Sequence, residues 1–157
     1  MAAQGKNSRP LPDIRNAKAG RDYLLGDRFE AGIVLTGTEV KSIRAGKAQL
    51  ADAYGRCDRG EVFLHNVHIA EYAFGNINNH VPKRPRKLLL KAREIRKIQQ
   101  ELEAGGQALV PVRMYFKGGL VKVELALGTG KKLYDKRQDL KKRVQMREIE
   151  REMMRRR

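Results

Sequence analysis

Tryptophan is absent, aromatic residues make up 6% of the chain, and there is a single cysteine, Cys57. One cysteine cannot form an internal disulfide, so nothing points to an oxidising compartment. No window approaches the roughly 18 apolar residues of a membrane-spanning helix. Residues Met1 to Pro12 carry no apolar run of the kind a secretory signal needs. These absences describe a soluble, cytoplasmic protein with no membrane partner. Acidic residues are also scarce: 18 Asp and Glu face 34 Lys and Arg, giving a net charge of +16. Self-repulsion on that scale destabilises a free domain, so a polyanion is the natural partner; nucleic acid is the first candidate, and the second, an anionic membrane surface, is weakened by the absences above.

What is present falls into three segments by composition. Residues 1–22 are polar and aperiodic and read as a flexible N-terminal arm. Residues 23–130 hold nearly all the apolar periodicity, with 17 basic and 11 acidic residues. Residues 131–157 crowd 12 basic against 5 acidic residues into a short basic C-terminal tail.

Strand patterns dominate the middle segment. Phe29 to Leu35, Glu61 to His65 and Val67 to Tyr72 are short runs of β formers, the last two separated by the turn-prone Asn66. Leu109 to Phe116 and Leu120 to Leu127 flank Lys117-Gly118-Gly119, a strong hairpin signal. Val121, Val123, Leu125 and Leu127 share one face, with Lys122 and Glu124 on the other. Two helices interrupt the strands. Thr36-Gly37-Thr38-Glu39 fits a capping box, followed by Val40 and Ile43 on one face and a stop at Gly46. A longer helix is expected from about Leu89 to Ala104, with an apolar stripe of Ile95, Ile98 and Leu102 and a stop at Gly105-Gly106. The fold class expected is mainly β with flanking α: a small closed antiparallel β-barrel, for which the oligonucleotide-binding type is one model, with two to three helices and a basic tail.

Catalysis finds little support. His65 and His68 lie three apart on a strand and point to opposite faces, so they cannot share a metal. Gly128-Thr129-Gly130-Lys131-Lys132 has the outline of a phosphate-binding loop. It lacks the leading glycine at the required spacing and puts Lys132 where Ser or Thr would hold magnesium. A metal-dependent nuclease would need clustered carboxylates, and the nearest grouping, Asp52, Asp58 and Glu61, straddles a turn. No catalytic residue, metal or cofactor is expected.

The basic residues say more. Lys83, Arg84, Arg86, Lys87, Lys91, Arg93, Arg96 and Lys97 fall within fifteen positions, opposed only by Glu94. Such a surface suits phosphate contacts, although a solvated helix face would read the same way. Tyr23, Tyr54, Tyr72 and Tyr134 sit outside the continuous apolar runs and are candidates for stacking on unpaired bases, whereas Phe29, Phe63 and Phe116 read as core. The tail has strong helix formers but sparse apolar residues, Leu140 and Val144 on one line, Met146, Ile149 and Met153 on another. A helix so polar all round gains little by packing on its own domain. It is expected to be disordered when free and helical against RNA.

Several stretches resemble the SsrA-binding (SmpB) protein family. They are Phe29-Glu30-Ala31-Gly32-Ile33-Val34-Leu35, the run from Gly37 to Ala48, Arg86-Lys87-Leu88-Leu89-Leu90, Leu109-Val110-Pro111, and Gly130-Lys131-Lys132 followed by Asp135-Lys136-Arg137. In this order, over roughly residues 16–143, they are specific. The resemblance implies a monomeric, non-enzymatic factor whose oligonucleotide-binding barrel holds the tRNA-like domain of transfer-messenger RNA. Its tail would enter the decoding centre and empty messenger channel of a stalled ribosome, against small-subunit rRNA. By matching position, Glu30 and Leu89 would hold the RNA, with Asn16, Tyr23, Tyr54 and Lys132 on or near that surface. Lys131 belongs to the same motif, and Arg86, Lys87 and Lys91 would supply phosphate contacts. Gly130, as a hinge, and Asp135, Lys136 and Arg137 match tail positions needed after ribosome binding. The chain departs from the family at Ala17 and Gly20, where relatives often carry basic residues; Lys18 and Arg21 would compensate. Tyr134 stands where the family varies and would stack on a decoding-centre base. The competing reading is a structural ribosomal or assembly protein held in rRNA.

Overall fold

The structure, a computed structural model, describes residues 10–75, 78–131 and 133–155, the side chains of 133–139 excepted. In chain order the elements are β1 (Ile14–Arg15), α1 (Ala17–Asp22), β2 (Tyr23–Ile33), α2 (Gly37–Arg44), β3 (Ala48–Gln49), β4 (Tyr54–Asp58), β5 (Glu61–His65), β6 (His68–Ile69), β7 (Arg86–Leu89), α3 (Ala92–Ala104), β8 (Gln107–Lys117), β9 (Leu120–Gly130) and α4 (Leu133–Arg155).

Seven strands pair in the order β1-β8-β4-β5-β7-β2-β9, all antiparallel, and β9 returns to β8. The sheet is therefore ring-like. Its long walls are the β8–β9 hairpin and the β2–β9 pair; two joins are narrow, Gly55 opposite Leu109 between β4 and β8, and Gly32–Ile33 opposite Leu88–Leu89 between β2 and β7. Alternation along β9 turns Val121, Val123, Leu125 and Leu127 inward, where they meet Phe29, Ala31, Val62, Leu64, Leu88, Leu109 and Met114. The hairpin turns at Gly118 and Gly119, both at positive φ, a conformation that side chains with a Cβ resist. At the β4–β8 join, glycine is required for a different reason. A Cβ on Gly55 would overlap Leu109 Cδ2 and stand 2.8 Å from its Cγ.

The capping residue Glu39 accepts the Thr36 N–H at 2.8 Å and starts α2, which sends Ile43 into the core. Along α3, Ile98 is fully buried while Ile95 and Leu102 pack at the core's edge.

Two expectations are revised. The ordered fold begins before Tyr23: β1 pairs with β8, and Asn16 caps α1, whose Ala19 is buried. The polar composition of residues 14–22 hides this, because a two-residue strand and a six-residue helix are too short to show periodicity. Leu89 belongs to β7, not to the following helix, because residues 86–89 pair with β5 and β2. Helices α1, α2 and α3 match the two to three expected beside the tail, and the tail itself carries α4.

Candidate nucleic-acid interface

The residues singled out in sequence assemble into two open grooves. The first, of about 510 Å³, lies between α1, β4 and β8 and brings together Asn16, Lys18, Tyr23 and Tyr54. Asn16 shapes its wall. Its Oδ1 accepts the Lys18 N–H at 3.2 Å, and its Nδ2 donates to the carbonyls of Pro111 at 2.9 Å and Leu50 at 3.2 Å. With both ends of the amide engaged, Asn16 fixes α1 against the sheet. Lys18 lies 3.4 Å from Asp52 in an exposed pair, which is weak in water and can exchange for a phosphate. Tyr23 lies over Gly128, where a Cβ would come within 2.9 Å of the tyrosine Cβ. Tyr54 is 41% exposed and rests on His65, directly opposite on β5, with ring centroids 5.4 Å apart and planes 11° from parallel. One face of Tyr54 is thus supported and the other is open for a base.

The second groove, of about 540 Å³, is formed by β2, β7, β9 and the start of α3, and brings together Glu30, Lys87, Leu89 and Lys91 with Lys122. Leu89 is 53% exposed and sits over Gly32. An outward leucine between charged groups offers an apolar surface to a ring. The Tyr115 hydroxyl and Lys117, whose Nζ lies 3.2 Å away, lower the Glu30 pKa from its ordinary value. Burial and Glu30 together push the Tyr115 phenol up to about 12. Glu30 is therefore ionised at neutral pH and acts as a fixed acceptor, a way to read base or ribose donors where lysines give affinity. Lys87 pairs with Glu61 at 3.2 Å, both exposed. Lys91 is exposed at the N-cap of α3.

Helix α3 joins the grooves. Ile95 lines the second and Leu102 the first, seven residues or about 10 Å apart along the helix. Arg93, Arg96 and Lys97 are exposed on it, and Lys97 pairs with Asp27 at 2.8 Å.

Arg86 is a correction. It was expected to meet phosphate, yet it is fully buried. It forms an ion pair with the equally buried Glu39 and donates to the carbonyls of Val67 at 2.7 Å and Pro82 at 3.1 Å. Arg84 binds both oxygens of Glu39, Oε1 through its Nη2 and Oε2 through its Nε at 3.2 Å. Alternation explains the misreading: on β7, Arg86 and Leu88 face inward while Lys87 and Leu89 face outward.

Arg21 is exposed and lines neither groove, but it pairs at 3.6 Å with Asp22, which lines the first. Lys131 is half-buried, with its Nζ donating to the Gly20 carbonyl at 3.0 Å. Gly130 ends β9 in extended pairing opposite Tyr23, so its backbone needs no special conformation here. Lys132 lies outside the described residues. Tyr134, Asp135, Lys136 and Arg137 fall within α4, but their side chains lie outside the described set. From Leu140 to Arg155 every residue of that helix is exposed.

Sequence reasoning missed Tyr115, Lys117 and His65. The outward alternation that marked Lys122 and Glu124 continues across the hairpin, but only strand register shows that Tyr115 and Lys117 flank Glu30 and that His65 lies under Tyr54. Among the described residues no three His, Cys, Asp or Glu side chains cluster to hold a metal, and no helix is long and apolar enough to cross a membrane. Stacking surface, fixed acceptor and exchangeable cations together suit structured RNA.

The family model described as SmpB protein matches residues 13–155. An SsrA-binding protein of Thermobifida fusca is 51% identical over 154 residues, covering 98% of this chain and 96% of the relative. Another, from Geobacter sulfurreducens, is 56% identical over 134 residues, covering 85% and 88%. Among solved structures, a chain described by the words "tmRNA-SmpB: a journey to the center of the bacterial ribosome" is 44% identical. It superposes with a TM-score of 0.67 over 78% of this chain and 86% of that one.

Proposed function

The chain belongs to the SmpB family of SsrA-binding proteins, and from that premise we propose that it binds the tRNA-like domain of transfer-messenger RNA and delivers it to stalled ribosomes. The observation that carries this reading is the convergence of Asn16, Tyr23 and Tyr54 on one groove and of Glu30 and Leu89 on a second, about 10 Å along α3. Two spaced contact sites linked by a helix that exposes Arg93, Arg96 and Lys97 suit a folded RNA better than a single strand or a smooth duplex. Glu30 and Tyr54 supply selectivity; Lys18, Lys87, Lys91 and Lys122 supply affinity.

The tail has a separate task. Helix α4 has 23 residues, about 35 Å, and carries no buried face in its described part. It would lie along an RNA channel of the small subunit, with Tyr134 and Asp135-Lys136-Arg137 at its start engaging the decoding centre. Ordering of the tail would accompany that step. The protein acts in the cytoplasm, where ribosomes are, and by binding alone. A permanent rRNA-bound role is less well supported, since the relatives are named for SsrA binding.

Deleting residues 131–157 tests the division of labour. Affinity for the tRNA-like domain should stay within a few-fold of the full chain in a gel-shift titration, while peptide tagging on stalled ribosomes should be lost. Comparable loss of both would refute separable parts.

A further inference from the structure

A third surface carries chemistry that neither groove uses. The segment after β6 displays Tyr72 and Phe74 edge-to-face, with ring centroids 5.6 Å apart. Phe74 is 78% exposed, so its ring faces solvent beside Tyr72.

The segment is also held in place. The Asn79 side chain closes a ring of hydrogen bonds with Tyr72, accepting its N–H at 3.0 Å and donating to its carbonyl at 2.7 Å. His80, buried, bonds the Thr38 hydroxyl at 2.9 Å and the Ile69 carbonyl at 2.8 Å, which ties the segment to α2 and β6. Gly75 fits against Asn79 and Thr38 so closely that a Cβ there would meet both. The exposed aromatic pair is thus presented on a braced support.

Its surroundings are cationic. Lys41 lies over the Tyr72 ring at 5.4 Å. Arg44, one turn further along α2, lies over Phe116 at 5.7 Å. Lys47, exposed, accepts the Ala70 N–H with its carbonyl at 3.0 Å, which sets its backbone beside the start of the segment. Aromatic faces among lysines and arginines hold unpaired nucleotides, the rings stacking on bases and the cations meeting phosphates. An apolar protein partner would be poorly served by that charge.

We propose that Tyr72 and Phe74, with Lys41 and Arg44, form a second RNA-binding site that takes an unpaired base and its flanking phosphates. None of these residues lines either groove, so the site does not rest on how the tRNA-like domain is held.

The test uses the full chain with a photo-crosslinking benzoylphenylalanine at position 74, irradiated with purified ribosomes, and Phe74→Ser and Phe74→Trp variants titrated with a short unstructured RNA. The expected results are a crosslink to an rRNA nucleotide, about tenfold weaker binding of the short RNA by Phe74→Ser, and near-native binding by Phe74→Trp. Affinity of Phe74→Ser for the tRNA-like domain should change less than about twofold, which also shows that the variant is folded. Crosslinks to ribosomal protein alone, or unchanged binding of the short RNA by Phe74→Ser, would overturn the proposal.

Discussion

Replacing Glu39 by Gln removes one charge from the interior and puts an NH2 donor where Oε2 accepts from Arg84 and Arg86. Gln can still accept the Thr36 N–H that Glu39 takes at 2.8 Å, so the start of α2 keeps its cap. Arg86, fully buried, loses its counter-charge. Breaking a buried pair from one side costs about 3–5 kcal/mol. The carbonyls of Val67, Pro82 and Val81 still face the guanidinium, at 2.7, 3.1 and 3.4 Å. That partial solvation argues for about 3 kcal/mol, a large share of the 5–15 kcal/mol typical of a domain. Thermal unfolding should fall by about 10 °C. The pH dependence follows from the same site. Burial raises the Glu39 pKa, but the bonds from Arg84, Thr36 and Arg86 outweigh it and hold the carboxyl below its ordinary 4.5. The native state therefore binds fewer protons than the unfolded one. The contribution is complete above pH 4.5 and is lost as pH falls through the lower native value. Urea titration at neutral pH and at successively lower pH reads both effects, and the gap between wild type and Glu39→Gln should narrow in acid. A neutral-pH difference under about 1 kcal/mol would refute the claim that Arg86 depends on this carboxylate.

Leu89→Ala should weaken binding of the tRNA-like domain about tenfold, as loss of a central apolar contact does, while leaving the unfolding temperature nearly unchanged because Leu89 is half exposed. Lys87→Ala should instead lower the slope of log affinity against log salt by about one, with little effect on discrimination between RNAs. Gly55→Ala should cost about 1–3 kcal/mol in a denaturant titration, since the added methyl meets the fully buried Leu109 at the narrow β4–β8 join.

Much of this molecule is written in local pattern. The β8–β9 hairpin was legible because two alternating runs flank a Gly-Gly turn, and α2 because Thr36 and Glu39 stand three apart before an apolar face. What escaped reading depends on residues brought together from afar. Glu39 looks like a capping residue and is one, yet its other oxygen neutralises Arg86, forty-seven positions on. No window of sequence reveals that, so Arg86 was counted with the surface cations. The supports of the binding groups were hidden in the same way. Tyr54 and Glu30 were visible as candidates, whereas His65 and Tyr115, which hold them, appear only once strand register is known. Lys87 and Leu89 could be assigned outward by alternation, but the sequence read Leu89 as the start of a helix, and that removed the alternation from view.

The most direct measurement is the identity of the RNA that the full-length protein holds. Purified from a bacterial lysate at moderate salt and sequenced without size selection, the bound RNA should be dominated by transfer-messenger RNA. Combined Glu30→Ala and Leu89→Ala substitution should abolish that enrichment while the protein stays folded. Recovery of rRNA fragments or a random RNA mixture by the unaltered protein, with no enrichment of transfer-messenger RNA, would contradict the account.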